Sequence, residues 1–340
     1  MSSVSTTAAA SVPAISVVMI TAGSFKTLRR ALWHLSRQTI RDRIEVVIIA
    51  PAVDSLSDMP DGALSAFWGS QVVPVGPIVN GDKQAAAALR VARAPVIGML
   101  EDHAYVDPDW AESLVRAIAD GWTAVCTRIE NANPDTALSW GSYLIAYGAW
   151  FGPQPSRPVT QVSRHNVGLL QDAVLALDPG LEDHLGRDGN LLAELASRGG
   201  RFFATTGSIV QHVNASRFSS TFLLRYHGGR LSAWKRWKRG RWSPVRRLVY
   251  CLVSPVFPVL RYVRIRGDLK ARDAWRLVPG HGRRGLAVAL VIDAMGQGLG
   301  FAFGTGRHTV EYLARFEYSR ADHLVRGDLA VLEPPVDAGR

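Results

Sequence analysis

Residues 96–103 read VIGMLEDH, a short apolar run that stops on Glu101, Asp102 and His103. The run has the length and composition of a buried strand. Pro95 separates it from the Ala-rich segment 85–92, which reads as a helix. Outward from this strand the same alternation repeats. On the N-terminal side, 15–20 (ISVVMI) and 44–49 (IEVVII) are β-branched strands. Between them, 27–39 carries Leu28, Ala31, Leu32 and Leu35 at helical spacing. A loop with Pro51 and Pro60 leads to a third strand at 71–75. On the C-terminal side, 108–119 reads as a helix, and 136–152, rich in Trp, Tyr and Leu, as another. Segment 191–198 is a helix closed by Gly199-Gly200, and 201–212 is a strand ending on His212. Strand alternating with helix predicts an α/β fold with a mostly parallel sheet. In such sheets ligands gather at the carboxyl ends of strands, where Glu101, Asp102 and His103 stand.

The bulk numbers suit a folded chain. Its 340 residues are 47% hydrophobic and 20% charged, enough for one large core or two modest ones. Cys126 and Cys251 are the only cysteines, which excludes a disulfide framework or a cysteine zinc site and fits a reducing compartment. The net charge of +10 is unevenly spread. Residues 1–215 hold 16 Lys/Arg against 20 Asp/Glu, whereas 216–340 hold 23 against 9. Within 217–284 the balance is 18 to 2, so an anionic partner is expected there, either lipid or nucleic acid.

The basic region interleaves aromatics with cations in Trp234-Lys235-Arg236-Trp237-Lys238-Arg239. Segment 248–260 is apolar but carries Pro255 and Pro258, and reads as too short to span a bilayer as a straight helix. Segment 285–304 is long enough but contains Asp293, Gln297 and several glycines; it is a re-entrant, spanning or core helix. Basic, Trp-rich sequence beside short apolar runs resembles an interfacial anchor. The proline-broken apolar runs suit lipid better than nucleic acid, so no nucleic-acid partner is expected. The alternative is a solvated basic face over ordinary core helices. The opening MSSVSTTAAASVP has no basic region before its first apolar run and reads as a disordered leader rather than a signal peptide. The expected organisation is a leader at 1–13, a catalytic domain at 14–216, a basic and apolar helical tail at 217–331, and a loose end at 332–340.

Acids clustered at a buried strand end are costly unless a cation offsets them, and Mg²⁺ or Mn²⁺ bridging a diphosphate does so. Mn²⁺ also accepts imidazole. A solvated turn with a helix-capping acid is the plainer reading of Glu101-Asp102-His103. Asp188 lies just before the helix at 191–198 and reads as a cap or as a base, with Glu182 and Asp183 as competitors for that role. His212 is a metal ligand or a satisfied histidine. Asp107 and Asp109 read as helix caps.

Taken in order, these pieces resemble a family 2 glycosyltransferase of the GT-A fold, over Ser16 to His212. Residues 16–21 (SVVMIT) are similar to that family's first strand, and Leu28, Leu32, Leu35, Gln38 and Thr39 to the helix that follows. Residues 44–49 match its second strand, and 81–94 (GDKQAAAALRVARA) a later helical stretch. Glu101-Asp102-His103 stands where the family has its DxD metal motif. Asn166 fits an acceptor-side strand, and 187–195 (RDGNLLAEL) aligns on the element that carries the base. Gly200 and His212 fit the family's closing strand.

The resemblance implies a GT-A fold, Rossmann-like, with a C-terminal helical region that associates with membrane. It implies transfer of a sugar, with inversion, from a nucleotide-sugar donor to a glycan, lipid-linked or cell-envelope acceptor. It implies Asp188 as catalytic base; Thr21, Ala22, Gly81, Lys83, Glu101 and Asp102 on the donor; and Asp102, His103 and His212 on a divalent Mn or Mg ion. The expected location is the cytoplasmic face of the cell membrane, at an anionic surface. The chain departs from the pattern at Ala50 and Pro51, where the family has acids, so nucleotide recognition must differ. Arg187 and Glu194 are further departures. A rival reading is a GT-A domain without catalysis, binding a glycan or scaffolding a complex at the membrane. A nucleotidyltransferase shares the sheet-edge metal chemistry, but the setting of Asp188 and His212 speaks against it.

Overall fold

The computed structural model describes residues 12–186 and 189–335. Most of the expected leader, part of the loose end, and Arg187 and Asp188 lie outside the described residues. The first half alternates as expected: β1 (Ile15–Ile20), α1 (Arg29–Leu35), β2 (Ile44–Ala50), β3 (Gly69–Pro74), α2 (Gly81–Val91) and β4 (Val96–Met99). There follow β5 (Ala104–Val106), α3 (Trp110–Ala119), β6 (Ala124–Asn131), α4 (Ala137–Tyr147), β7 (Arg157–Val159) and β8 (Val167–Leu170). Three short helices, α5 (Gln171–Leu175), α6 (Leu181–Leu185) and α7 (Leu191–Ser197), lead to the long β9 (Phe202–His212).

These strands form one sheet in the order β3-β2-β1-β4-β8-β6-β9-β5, with β7 also on β9. The strands β3, β2, β1 and β4 are parallel, as the sequence pattern predicts. The other half is mixed. β8 runs antiparallel to both β4 and β6, while β6 and β9 are parallel. β9 serves two short antiparallel partners, β7 along its first half and β5 along its second.

The sheet is buried on both faces, so its strands read as continuous apolar runs. Within β1, Ile15, Val17 and Met19 join the core under α1 and α3, while Val18 joins the opposite core under α2. Each such large side chain contributes about 1.5–3 kcal/mol through burial. Two glycines bring α3 close. At Gly98 a Cβ would stand 3.0 Å from the Trp110 ring, and at Gly168 3.0 Å from Leu114.

The C-terminal region is helical: α8 (Phe218–Arg239), α9 (Pro244–Val253), α10 (Phe257–Ala271), α11 (Gly280–Phe303) and α12 (Thr309–Phe316). The expectation of a broken, short apolar run at 248–260 is corrected. Helical structure continues from Pro244 to Ala271, 28 residues, through a 3-10 turn at Ser254–Val256. Pro255 and Pro258 each enter the first turn of a new helical segment, where the missing N–H has no partner to lose. Of the alternatives for the glycine-rich segment, α11 is packed. Its Gly285 meets the backbone of Ala137 in α4, and its Gly296 meets the backbone of Tyr226 in α8, with no room for a Cβ at either.

Two half-buried histidines make the fold acid-sensitive. His34 lies against the Val106 carbonyl oxygen at 3.1 Å, and His323 stacks on Phe316 with ring centroids 3.9 Å apart. Burial, helped by nearby arginines, pushes each down from 6.5 to about 4. A base depressed by folding contributes stability that is present above its unfolded pKa of 6.5 and lost as pH falls towards 4. The melting temperature is therefore expected to fall across this window, and less steeply in His34→Gln/His323→Gln. An equal slope in the double variant would exclude these histidines as the cause.

Candidate active site

The antiparallel return of β5 along β9 places Ala104 opposite His212, so the neighbouring His103 ring meets the His212 ring, centroids 4.9 Å apart. Glu101 sits between them and the end of β8. Its Oε2 lies 3.1 Å from His212 Nε2 and accepts from Asn166 Nδ2 at 2.7 Å and from Tyr147 Oη at 3.2 Å. Glu101 N donates to Asn166 Oδ1 at 3.2 Å. Asn166 adopts φ 56°, a left-handed conformation that asparagine tolerates, and so turns its amide onto Glu101. Burial alone would raise the Glu101 carboxyl, but His165, His212 and His103 around it outweigh that and hold it well below the carboxylate range. Burial pushes the His212 imidazole below its usual value, so the ring is neutral near pH 7. Tyr147 is pushed well above the usual phenol value by burial and by the Glu101 charge.

The proton positions follow from the hydrogen-bond network. Asn214 Nδ2 donates to the His212 carbonyl oxygen at 2.9 Å, which leaves its Oδ1 facing His212 Nδ1 at 3.1 Å. His212 Nδ1 is thus placed as the donor to Asn214 Oδ1, and its buried Nε2 faces the Glu101 carboxylate 3.1 Å away. His103 Nδ1 donates to Asp102 Oδ1 at 2.6 Å, which leaves Nε2 as its lone-pair atom. Glu101, His103 and His212 each offer a ligand atom within 4.8 Å of the others. A carboxylate and two imidazole nitrogens this close together form a donor set that suits a divalent cation, Mn²⁺ above all. Asp102 orients His103 from behind, as carboxylates do for metal-binding histidines.

A segment distant in sequence completes the site. Arg320, buried, donates from Nη2 to the His103 Nε2 lone pair at 2.5 Å and to Glu317 Oε2 at 2.6 Å, so a metal ion taking that lone pair would displace the guanidinium. The neighbouring Tyr318 packs over Gly81 at the start of α2, where a Cβ would collide with its ring. The cleft between this segment and the sheet is bordered by Val18, Ile20, Asp82, Met99 and the Glu101–His103 turn.

The residues singled out from sequence do not all meet. Glu101, Asp102, His103 and His212 come together. The sequence-based metal set holds Asp102, while the convergent ligand atoms belong to Glu101 and the two histidines, because Asp102 is engaged with His103 Nδ1. Gly81 borders the cleft beneath Tyr318. Thr21, buried, uses its Oγ1 to close the β1–α1 turn, accepting from the Gly23 and Ser24 amides, with Ala22 exposed beside it. Lys83 reaches the other way, with Nζ 2.7 Å from Asp183 Oδ1. Asp188 lies outside the described residues; Gly189 and Asn190, which follow it, line a depression with Asp82, Arg164 and His165. Sequence reasoning did not single out His165, Tyr147, Glu317 or Arg320. His165 stands next to Asn166, which was a signal; the other three have none in local sequence.

Residues 16–169 match the family model described as Glycosyl transferase family 2. The match ends within β8, before Asp188 and His212. No curated protein matches the chain. Among solved structures it is similar to GalNAc-T7 with UDP, GalNAc and Mn²⁺, at 15% identity and TM-score 0.45, over 59% of this chain and 44% of that one. It thus spans less than half the length of that protein. It is also similar to S. aureus TarS 1-349 in complex with UDP, at 12% identity and TM-score 0.46, over 81% of this chain and 90% of that one. A second S. aureus TarS structure matches at 12% identity and TM-score 0.45, over 83% and 54%. The family match, together with the strand order and the acidic tip of β4, carries the assignment: the domain that includes residues 16–169 belongs to glycosyl transferase family 2.

Proposed function

We propose that this chain transfers a sugar from a nucleotide-sugar donor to a glycan, lipid-linked or cell-envelope acceptor, with inversion and with a divalent metal ion. The observation that carries the reading is the ionised Glu101 with ligand atoms of His103 and His212 within 4.8 Å of it, at the carboxyl end of β4 in a family 2 domain. Glu101, His103 and His212 would hold the ion, Asp102 would fix the His103 ring, and Asn166 would fix Glu101. A bound Mn²⁺ or Mg²⁺ offsets the negative charge that develops on a departing diphosphate. The donor would lie over the β1–β4 half, beside Gly81 and Asp82. Asp188 would take the proton from the acceptor hydroxyl as it attacks the anomeric carbon from the opposite face. The test is a thermal-shift screen of nucleotide-sugars with and without Mn²⁺. One donor class should stabilise the chain only when metal is present. Equal stabilisation in excess EDTA would refute the metal role, and no stabilisation by any donor would favour a non-catalytic binding domain.

The same reading places the chain on the cytoplasmic face of a membrane. Two helices are long and apolar enough to cross one, Pro244–Ala271 and Gly280–Phe303. The first is 6% buried over its apolar window, and Val245, Leu248, Leu252, Val256, Val259 and Val263 are exposed along it. Arg246 lies over the Trp242 ring at 4.1 Å and Arg247 over Trp237 at 4.2 Å, a pairing of cation and indole suited to an anionic headgroup zone. Flotation with anionic liposomes should recover the chain at low salt and less of it at high salt, because the electrostatic part is screened. Leu252→Glu/Val256→Glu should stay in the soluble fraction. Flotation of that variant at the wild-type level would remove this face as the contact.

A further inference from the structure

A second cavity of about 330 Å³ opens beside Glu101, between α4, α8 and the end of β9. Twelve buried side-chain polar atoms lack a hydrogen-bond partner among the described residues, and five of them line this one cavity. They are Ser142 Oγ, His165 Nε2, His212 Nε2, Arg225 Nε and Arg320 Nε. Buried polar groups are nearly always satisfied in folded proteins, so such a concentration marks a place where something else supplies the partners.

Arg225 is the telling member. It projects from the middle of α8 into the cavity and makes no hydrogen bond or ion pair among the described residues. The nearest opposite charge is Asp293, but that carboxylate is taken by Arg261 and by Gln297 Nε2 at 2.5 Å. Glu317, the other acid nearby, is held by Arg320 at 2.6 Å. Burial lowers the Arg225 guanidinium from its usual value, and Asp293 offsets only part of that. Arg225 is half-buried, with its Nε shut off from solvent and no anion beside it, and its planar fork matches a phosphate or carboxylate. The cavity shares Glu101 with the cleft bordered by Val18, Ile20 and Asp82, which the proposed function gives to the donor.

We propose that this cavity receives an anionic group of the acceptor, a phosphate ester, with Arg225 as the side chain that binds it and Ser142 as a second donor. This deepens the reading given above and rests on it. The ester comes from a lipid phosphate or from a soluble polyol phosphate, and both offer the same oxygens to Arg225.

The full-length chain, saturated with Mn²⁺ and a nucleoside diphosphate so that the donor side is filled, is titrated with inorganic phosphate, glycerol 3-phosphate and dihexanoyl phosphatidic acid. Calorimetry should report binding of the esters, and Arg225→Met should weaken it about tenfold or more, the loss of one charge-assisted contact. Tighter binding of the dihexanoyl ester assigns the lipid source; equal binding assigns the soluble one. Arg225→Met without ligand should melt at or above the wild-type temperature, because a half-buried charge without an anion is gone, and should keep its affinity for the nucleoside diphosphate. If Arg225→Met melts lower and binds the esters as wild type does, Arg225 is a structural partner of Asp293 and the proposal fails. If wild type binds the nucleoside diphosphate but none of the esters, the proposal fails while the transferase reading stands. If wild type binds no nucleotide, the transferase reading fails first.

Discussion

Glu101→Gln is expected to abolish the Mn²⁺-dependent thermal shift and to lower sugar transfer by about 10²–10³-fold, equivalent to about 3–4 kcal/mol of transition-state stabilisation. The substitution keeps the shape of the side chain and its contact with Asn166 Nδ2, but removes the charge that faces three histidines. The imidazoles of His212 and His103 would then have a neutral amide beside them, which is a poor ligand for a hard cation. The folded state should survive. In chelator, Glu101→Gln should melt at or above the wild-type temperature, since the desolvation of a nearly buried carboxylate offsets most of what its neighbours return. Transfer at the wild-type rate by a well-folded Glu101→Gln would remove the cluster from the chemistry altogether. A loss of melting temperature without loss of metal response would make Glu101 a structural link between β4 and β8.

Asp188→Asn carries the second large effect. The sequence resemblance gives Asp188 the role of general base, and removal of such a group costs about 10²–10⁴ in rate. Donor and metal should still bind with nearly wild-type affinity, because the proposed ligands sit on other elements. The separation of transfer from binding is the diagnostic reading. A variant that loses both would point to a part in holding the donor, and a variant that loses neither would return the base role to Glu182 or Asp183. Glu182 is engaged with Arg90, and Asp183 with Lys83 at 2.7 Å, which weakens both as bases.

Much of the architecture was legible because it rests on local pattern. β1, with its run ISVVMI, has the bounds the sequence gives it, and β2 differs by one residue. The helix expected at 27–39 shortens to Arg29–Leu35, because Ser24 caps a 3-10 turn before it and Gln38 turns inward to accept from the Ala111 amide. β6 was overlooked; its AVCTRIEN mixes charge with apolar residues, since Arg128 pairs with Glu130 on the same strand. β5, β7 and β8 hold three or four residues each and exist because β9 and β4 are there to pair with, which no short window can reveal. The site divides in the same way. Glu101, Asp102, His103 and His212 announce themselves at strand ends. Arg320 enters from a 3-10 turn 217 residues beyond His103, and Arg225 from a helix whose other face is unremarkable. Arg320 matters through the partners it meets and Arg225 through those it lacks, and partners are a property of the folded chain.

The glycine contacts of α11 have a mechanical consequence. Where backbone touches backbone, at Gly285 against Ala137 and at Gly296 against Tyr226, there is no layer of side chains to shear or to re-choose rotamers. α4, α8 and α11 are therefore clamped into one stiff frame. α4 presents Tyr147 to Glu101, and α8 holds Arg225 at one station and the Trp- and Arg-rich end at the other. Any force exerted on that far end tilts the floor of the catalytic hollow with it, so the bearing surface and the reaction centre keep a fixed mutual height and angle.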